Sequence, residues 1–527
     1  MVLSVSDDVK QAFLDGDNNV SHIVKIYWSI NTGWVDESDN LLEIHFTSTF
    51  NTVGTTMLPS SADTSVEFVF DNLDFRYSVF NTTSEAPHDS SIIGEIQSHD
   101  DAFSGVPIQW YVKTDVHPDS GDMYWTTFKV FDGVIKYAAE NSDGRTITFY
   151  AHDTLWELLQ NKIDTKLYIN KSPADILKDI IDAQLNYQIT PDNSMVLIQY
   201  YGAEETSVVS IGRLLASTEC GRFFQRPSTG HTYQYKNYSY WIRRIMEGEP
   251  DCDFTSDLFK NLTTRYTDTQ LVSDLSITWT GVRQGPKTLL YELDDPIYIP
   301  PGKTIKFKAT FSTMAINIAD LRSDGDKKDY YFASPGGVNM NSKCSINVEK
   351  TNAYSAIIEL TNSHETMPAY LVRLHIWGNS IVKGEKKEIK KQINLRTHRK
   401  RKLPSLPTIQ NDAAAGLILE VTKLQTRRTF VTMTLHDAAF LPYLELADLV
   451  TITDRIETSE FTRSGVVAPK IKGFIFAINF QITVGAKIQT TSSYSIVPAE
   501  SFVYEPDDTY QLIGEDQKLD ADNKVYP

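Results

Sequence analysis

The chain has 527 residues, 41% hydrophobic and 22% charged, values that suit a folded chain and exclude a disordered one. Its 68 acidic residues outnumber 50 basic ones, and the formal charge of −18 argues against a free-standing nucleic-acid binder. Three scattered cysteines, Cys220, Cys252 and Cys344, cannot build a disulfide framework, and they fit synthesis in a reducing cytosol.

The N-terminus, Met1 to Asp8, has no basic region followed by an apolar core, so no secretory signal is expected. No apolar run approaches the ~18 residues of a membrane span. The following stretch alternates apolar and polar residues at Val24–Ile30, Leu42–Phe46, Val66–Phe70, Val106–Val112, Trp125–Ile135 and Arg145–Ala151. Alternation of this kind, with turn residues between, predicts short antiparallel strands in a barrel or sandwich over 1–165.

The period changes after Asp153, which is placed to cap a short helix. Ser172-Pro173 then opens a helix with a hydroxyl cap and a proline at its first position, and Ile176, Leu177, Ile180 and Ile181 follow at helical spacing. A further helix runs from Ser207 to Gly221, and a hairpin turns at Pro227-Ser-Thr-Gly. Residues 166–284 are therefore expected to form an α+β domain. Strands bounded by Pro300-Pro-Gly and Ser334-Pro-Gly-Gly predict an inserted β-sandwich over 285–380. A second β unit with its own helix, capped by Thr408, is expected over 381–490, and an acidic arm over 491–527. The expected fold class is thus mainly β with α+β elements: two β units, a small α+β domain and an inserted sandwich.

Residues carrying chemistry are sparse. His88-Asp89, His99-Asp100, His152-Asp153 and His436-Asp437 are adjacent pairs, and neighbours on a strand face opposite ways. His364-Glu365 lacks the second histidine of a zinc helix. Asp324, Asp326 and Asp329 are interrupted by lysines and lack a closing acid, so a turn is expected there and no metal. No catalytic residue, cofactor or metal site is predicted. Two features stand out as surfaces. Lys383 to Lys402 holds ten basic residues, densest at Arg396, Arg399, Lys400, Arg401 and Lys402, which form a candidate interface. Tyr330, Tyr331 and Phe332, in a polar surrounding, are a candidate exposed aromatic patch.

Several segments, in order, resemble the hub proteins of baseplates and tail tips in long-tailed bacteriophages. The strand and turn Val66–Asn81 are similar to that family, with Val79 where a proline is usual. Thr146–Leu155, Lys171–Ile181 and Leu214–Arg226 resemble its next strand, helix and helix–hairpin. Ile357–Asn362 with Tyr370–Gly378 resembles an insertion in such proteins. Leu441–Ile452 resembles the closing strand pair, with Ala447 where a glycine is common. The resemblance implies a non-enzymatic structural virion protein: a homotrimer, each subunit giving two tube-type barrels, that adapts a hexameric tail tube to a threefold tip. It also implies as partners a distal tail or tail tube protein ring, a tape measure protein, a tail spike or fibre, and viral DNA in transient passage through the channel. Its place would be the virion tail, after synthesis in the host cytoplasm. An alternative is a carbohydrate-binding tail protein that recognises a host surface glycan through the inserted sandwich. A tail-associated cell-wall hydrolase is disfavoured by the missing catalytic constellation.

Overall fold

The computed structural model describes residues 6–15, 19–29, 33–51, 61–73, 77, 103–117, 122–141, 145–183, 188–267, 272–323, 328–393, 399–426, 430–453, 470–485, 488–499, 518–519 and 525–526. Helix α1 (Asp7–Asp15) precedes β1 (Val20–Ser29), β2 (Gly33–Asp36), β3 (Leu41–Asn51), β4 (Ser61–Asp71), β5 (Pro107–Val116), β6 (Tyr124–Glu140) and β7 (Thr146–Asp153). A mixed unit follows. It holds α2 (Leu155–Gln160), β8 (Lys162–Ile163), β9 (Tyr168–Lys171), α3 (Pro173–Asp182), β10 (Gln188–Pro191), β11 (Ile198–Tyr201), β12 (Thr206–Ser207) and α4 (Val208–Thr218). The hairpin β13 (Arg222–Gln225) and β14 (Thr232–Lys236) and helix α5 (Tyr238–Glu247) complete it.

Strands β15 (Cys252–Phe254) and β16 (Asn261–Thr267) lead to the long β17 (Asp274–Glu292). The insertion contributes β18 (Ile297–Ile299), β19 (Thr304–Thr310), β20 (Ala315–Ile318), β21 (Tyr330–Ala333), β22 (Cys344–Lys350) and β23 (Ser355–Asn362), and β24 (Ala369–Gln392) returns from it. Then come β25 (Lys400–Leu403), α6 (Asp412–Thr426), β26 (Phe430–Ala438), β27 (Leu449–Ile452), β28 (Ile471–Thr483), β29 (Gln489–Pro498) and the short pair β30 (Lys518–Leu519) and β31 (Val525–Tyr526). Among the described residues no helix is long and apolar enough to cross a membrane.

The alternating pattern has the expected effect. In β1 the side chains of Val24, Ile26 and Trp28 are buried, in β5 those of Ile108, Trp110 and Val112, and in β7 those of Ile147, Phe149 and Ala151. Every second residue thus faces one core, and the strands pair antiparallel in the order β2-β1-β5-β6-β7-β4-β3. The free side of β3 then pairs with β28, from Thr49 opposite Ala477 to Glu43 opposite Thr483. Beyond β28 lie β29, β26 and β16. The β-rich sets from the two ends of the chain therefore share one continuous sheet and one core, in which Phe46 and Phe480 stack at 5.4 Å.

The two β sets thus lie side by side within one sheet. Among the described residues, the hydrogen-bonded path of the first set runs from β2 at one end to β3, where β28 is added. β15 and β16 fall within the expected α+β domain, yet they pair with β27 and β26 and so belong to the C-terminal set. Residues 381–392 belong to the return arm of a ribbon formed by β17 and β24, paired from Asp274–Gln392 up to Glu292–His375. The physical reason is that the two chain segments flanking an insertion run antiparallel side by side, and mutual pairing satisfies their backbone groups. The insertion keeps a core of its own around Phe311, Phe332, Ile358, Leu371 and Ile376. A fourth cluster joins Leu275, Ile277 and Trp279 at the ribbon base to Leu403 and to Ala415 and Leu419 of α6.

Local signals are met where the chemistry is local. Ser172 Oγ accepts from the Asp175 N–H at 3.1 Å with Pro173 at the first helical position, and Ser207 Oγ accepts from the Ser210 N–H at 3.2 Å. Thr408 does not cap α6. Asn411 does, its Oδ1 accepting from the Ala414 N–H at 2.8 Å, while the Thr408 hydroxyl is buried against that of Thr218 at 2.5 Å. Asp153 is buried at the end of β7, and its carboxyl accepts the Leu155 N–H, so it does assist the start of α2.

Ala447 occupies a left-handed backbone position, φ 73°, in the turn before β27. Its N–H donates to the Ile475 carbonyl at 3.0 Å, and the Glu445 N–H donates to Asp448 Oδ2 at 2.9 Å, so the turn is fixed from both sides. An L-residue held there costs roughly 1–2 kcal/mol that glycine avoids, partly offset by glycine's greater unfolded-state freedom. Ala447→Gly is expected to stabilise the protein by roughly 0.5–1 kcal/mol, read from a shifted urea midpoint at unchanged slope. A destabilised variant would show that the Ala447 methyl matters more than its backbone.

Candidate functional site

Three units meet at one arginine. Arg222, at the start of β13, is fully buried, and its guanidinium lies 4.7 Å from the ring of Phe50, 4.1 Å from that of Trp241 and 4.5 Å from that of Phe476. These rings come from β3, α5 and β28, so the cation–π cage draws on both β sets and the mixed unit. One turn further along the hairpin, Arg226 donates to Glu445 Oε2 at 2.7 Å and to Asp448 Oδ1 at 3.4 Å. Ser228 Oγ donates to the other oxygen of Glu445 at 2.5 Å. Burial pushes the Asp448 carboxyl up from its ordinary value, against the pull of Arg226. The cluster is closed, and its chemistry is that of a structural joint.

The basic stretch divides between two faces of the ribbon. Arg396 lies outside the described residues. Arg399 is exposed, and its carbonyl accepts from the Ser273 N–H and hydroxyl at 2.6 and 2.9 Å. β25 then pairs parallel with β17, placing Lys400, Arg401 and Lys402 opposite Asp274, Leu275 and Ser276. Successive strand residues face opposite ways, so Arg401 shares the face of buried Leu275 and Ile277, against α6, while Lys400 and Lys402 point away and are exposed. Burial lowers the Arg401 pKa from its ordinary value. β24 divides in the same manner. On the helix side Lys387 approaches Asp412 at 3.8 Å and lies 4.8 Å over the Trp279 ring, and Lys391 is paired with Glu420. On the outer side Lys386 and Lys390 stand opposite Thr280 and Ser276. The four exposed lysines of the outer face are thus Lys386, Lys390, Lys400 and Lys402, with Asp274 and Glu388 among them. A hydrogen bond from Lys390, with the Lys402 charge adding to it, keeps the Glu388 carboxyl below its ordinary range. Sequence reasoning missed Lys386 and Lys390 because the division needs the register.

The expected aromatic patch is corrected. Phe332 is fully buried in the insertion core, Tyr330 lies against it at 5.8 Å, and Tyr331 is half-buried on the other face. The segment is strand β21, and its alternation takes Phe332 inward. Among the described residues the histidine–acid pairs do not converge on a common site. His88, Asp89, His99 and Asp100 lie outside the described residues. His152 approaches Asp63 at 3.7 Å, and His364 Nδ1 accepts the Met367 N–H in a turn. Asp324 and Asp326 also lie outside them, while Asp329 is held by Arg322 at 2.8 and 3.1 Å. Among the described residues no group of three or more His, Cys, Asp or Glu could hold a metal ion.

No family model and no curated protein matches this sequence. Solved structures do. The structural neighbours are phage tail proteins and secretion-system proteins similar to them. The tail protein from Neisseria meningitidis MC58 matches with a TM-score of 0.44 and 9% identity, over 91% of this chain and 96% of that one. The 43 kDa tail protein of prophage MuSo2 from Shewanella oneidensis matches at 0.46 and 11%, over 92% and 99%. The E. coli c3393 protein, a component of the type VI secretion system, matches at 0.36 and 7%, over 89% and 76%. At these scores and identities none of the neighbours transfers a function to this chain.

Within the mixed unit, Glu219, at the end of α4, ties the segment before β11 to β14. Its buried carboxyl accepts the Val196 N–H at 2.9 Å, the Met195 N–H in a shorter contact, and the Tyr235 hydroxyl at 2.6 Å. Burial nevertheless pushes it from 4.5 up to about 7. The folded protein therefore holds a proton that the unfolded chain has lost, and stability falls as pH rises from about 4.5 to about 7. Glu219→Gln removes this loss. Relative to the parent, the variant is expected to gain up to about 3 kcal/mol between pH 4.5 and pH 8, measured by urea unfolding at both values. An equal difference at the two pH values would refute the assignment to Glu219.

Proposed function

We propose that this chain is the hub of a bacteriophage tail baseplate or tail tip, a structural virion protein that trimerises and adapts a hexameric tube to a threefold tip around a DNA channel. The observation that supports the reading is the β3–β28 junction: β sets from the two ends of the chain meet edge to edge in a single sheet, and we read each set as one tube-type unit. Three such chains supply six units around one axis, which is what a sixfold-to-threefold adaptor requires. The order of hub-like segments along the sequence supports the same reading. Among the described residues the sheet ends in β2 and β16, which differ from one another, so association through these edges would be head-to-tail, the kind of contact that forms a ring where the rotation between subunits closes. The expected partners are a tube or distal tail ring above, a tape measure protein within and a spike or fibre below. Mass measurement of the purified protein is expected to give a trimer, and a stable symmetric hexamer or a monomer at high concentration would refute the proposal.

The outer lysine face of the ribbon is proposed as a contact with acidic protein, either a neighbouring subunit or an adjoining tail component. Three copies in a ring gather like charges that repel unless something acidic lies against them. A channel wall is the poorer alternative, because each lysine–phosphate contact would hold DNA that must slide. Reversing Lys386, Lys390, Lys400 and Lys402 to Glu is expected to impair assembly, and raised salt to weaken the parent assembly. Intact assembly with DNA ejection alone defective would place this face in the channel instead.

A further inference from the structure

Both chain connections of the insertion run through the β17–β24 ribbon, and the ribbon is braced at its two ends. At the base β25 pairs with β17 from Asp274 to Ile277, and Leu275, Ile277 and Trp279 pack with Ala415 and Leu419 of α6. At the far end β20 pairs with β24 at Asn379 and Ser380, and β18 and β21 pair with it beyond. The stretch between is bare. Val282, Arg283 and Gln284 pair with Lys383, Val382 and Ile381, and among the described residues no third strand joins them. A two-stranded ribbon without further support is marginally stable.

The register shifts on both sides of this stretch, between Thr280 and Val282 and between Gln284 and Lys287. Such shifts interrupt the ladder and bend the ribbon. At the first of them two glycines meet: a Cβ on Gly384 would lie 3.3 Å from the Gly281 carbonyl oxygen. Glycine adds backbone freedom where the ladder is already broken. Lys383, Gly384, Glu385 and Lys386 are exposed, and the insertion core starts only beyond the bend, at Leu290 and Ile376.

We infer that the insertion is a hinged arm, bending at Gly281 and Gly384 and held against the mixed unit by a latch centred on Asp164. The latch joins Lys308 and Asn352 of the arm to the Asp164 carboxylate, and the Ala353 N–H donates to the Thr165 carbonyl at 2.9 Å. The carboxylates of Glu204 and Glu205 also act on Lys308, so one cation faces three acids. The Lys308 and Asp164 side chains are 38% and 23% exposed, which leaves their attraction weak and open to screening by salt. A stiff base, a pliant bare stretch, a rigid sandwich and a weak clasp are the parts of a hinge motion. The inference does not rest on the hub reading, since it concerns two parts of one chain.

The test measures a distance within the full chain. Spin labels are placed through Lys178→Cys on α3 and Ser345→Cys on β22, both exposed positions, and the labelled protein is diluted with unlabelled chain. The parent is expected to give a narrow distribution at low salt. Asp164→Ala, Lys308→Ala and, in the parent, about 1 M salt should each broaden it roughly twofold. Adding Gly281→Ala and Gly384→Ala to Asp164→Ala should narrow it again, since neighbouring atoms at 3.4 and 3.3 Å admit the new methyl groups. Amide exchange at Ile358 and Leu360, in the central strand β23, should stay as slow as in the parent. A width unmoved by Asp164→Ala and by salt would overturn the inference. So would broadening with faster exchange at Ile358 and Leu360, because the sandwich would then have unfolded and not swung. Broadening that persists after both glycines are replaced would overturn the hinge.

Discussion

The guanidinium of Arg222 sets the arrangement of the whole body. Burying a cation costs several kcal/mol unless the surrounding groups compensate. Here Phe50, Trp241 and Phe476 supply ring faces, and each ring belongs to a different element: β3, α5 or β28. Shifting any one of these against the others would leave the charge in an unfavourable surrounding. Arg226 repeats the principle nearby with carboxylates in place of rings, linking the same hairpin to the turn before β27. Two arginines four residues apart thus lock the mixed unit against both halves of the sheet.

The insertion is held by weaker means. It projects on the β17–β24 ribbon and has a separate core. Its contact with the mixed unit centres on Asp164, which accepts from Lys308 Nζ at 2.5 Å, the Glu205 N–H at 2.9 Å and Asn352 Nδ2 at 3.3 Å. Close approach is possible there because residue 202 is glycine: a Cβ on it would meet the Ala353 Cβ at 2.4 Å. A partly exposed ion pair contributes about 1 kcal/mol or less, so this contact orients the sandwich without making it part of the main core.

What the sequence revealed was what neighbouring residues decide. Alternation identified the strands, and the Ser172-Pro173 and Ser207 caps located their helices. The glycine-like role of position 447 was visible as a departure at Ala447, and its φ of 73° explains why glycine would suit the place. Features that depend on register or on distant partners were hidden. A hydroxyl at Thr408 looked like a cap until Asn411 proved nearer to the helix start. Phe332 looked exposed because its neighbours in sequence are polar, although its neighbours in space are not. The lysines of the ribbon formed one run in sequence, and only the pairing with β17 sorts them into a helix-facing and an outward set. Arg226 gave no sign of Glu445, more than 200 residues away.

The β3–β28 pairing also sets the timing of folding during synthesis. Its partners are separated by about 430 residues. At roughly 5–20 residues per second, β3 waits about 20–90 s after leaving the ribosome before β28 exists to cover it. For that interval the N-terminal sheet stands with an open edge, the feature by which β-proteins join wrongly to one another. The edge carries Glu43 and His45 rather than an unbroken apolar row, and these polar side chains make it a poor template for a second nascent chain. Loss of the last fifth of the chain would therefore do more than shorten the protein: it would leave a finished half-sheet permanently open to its own kind.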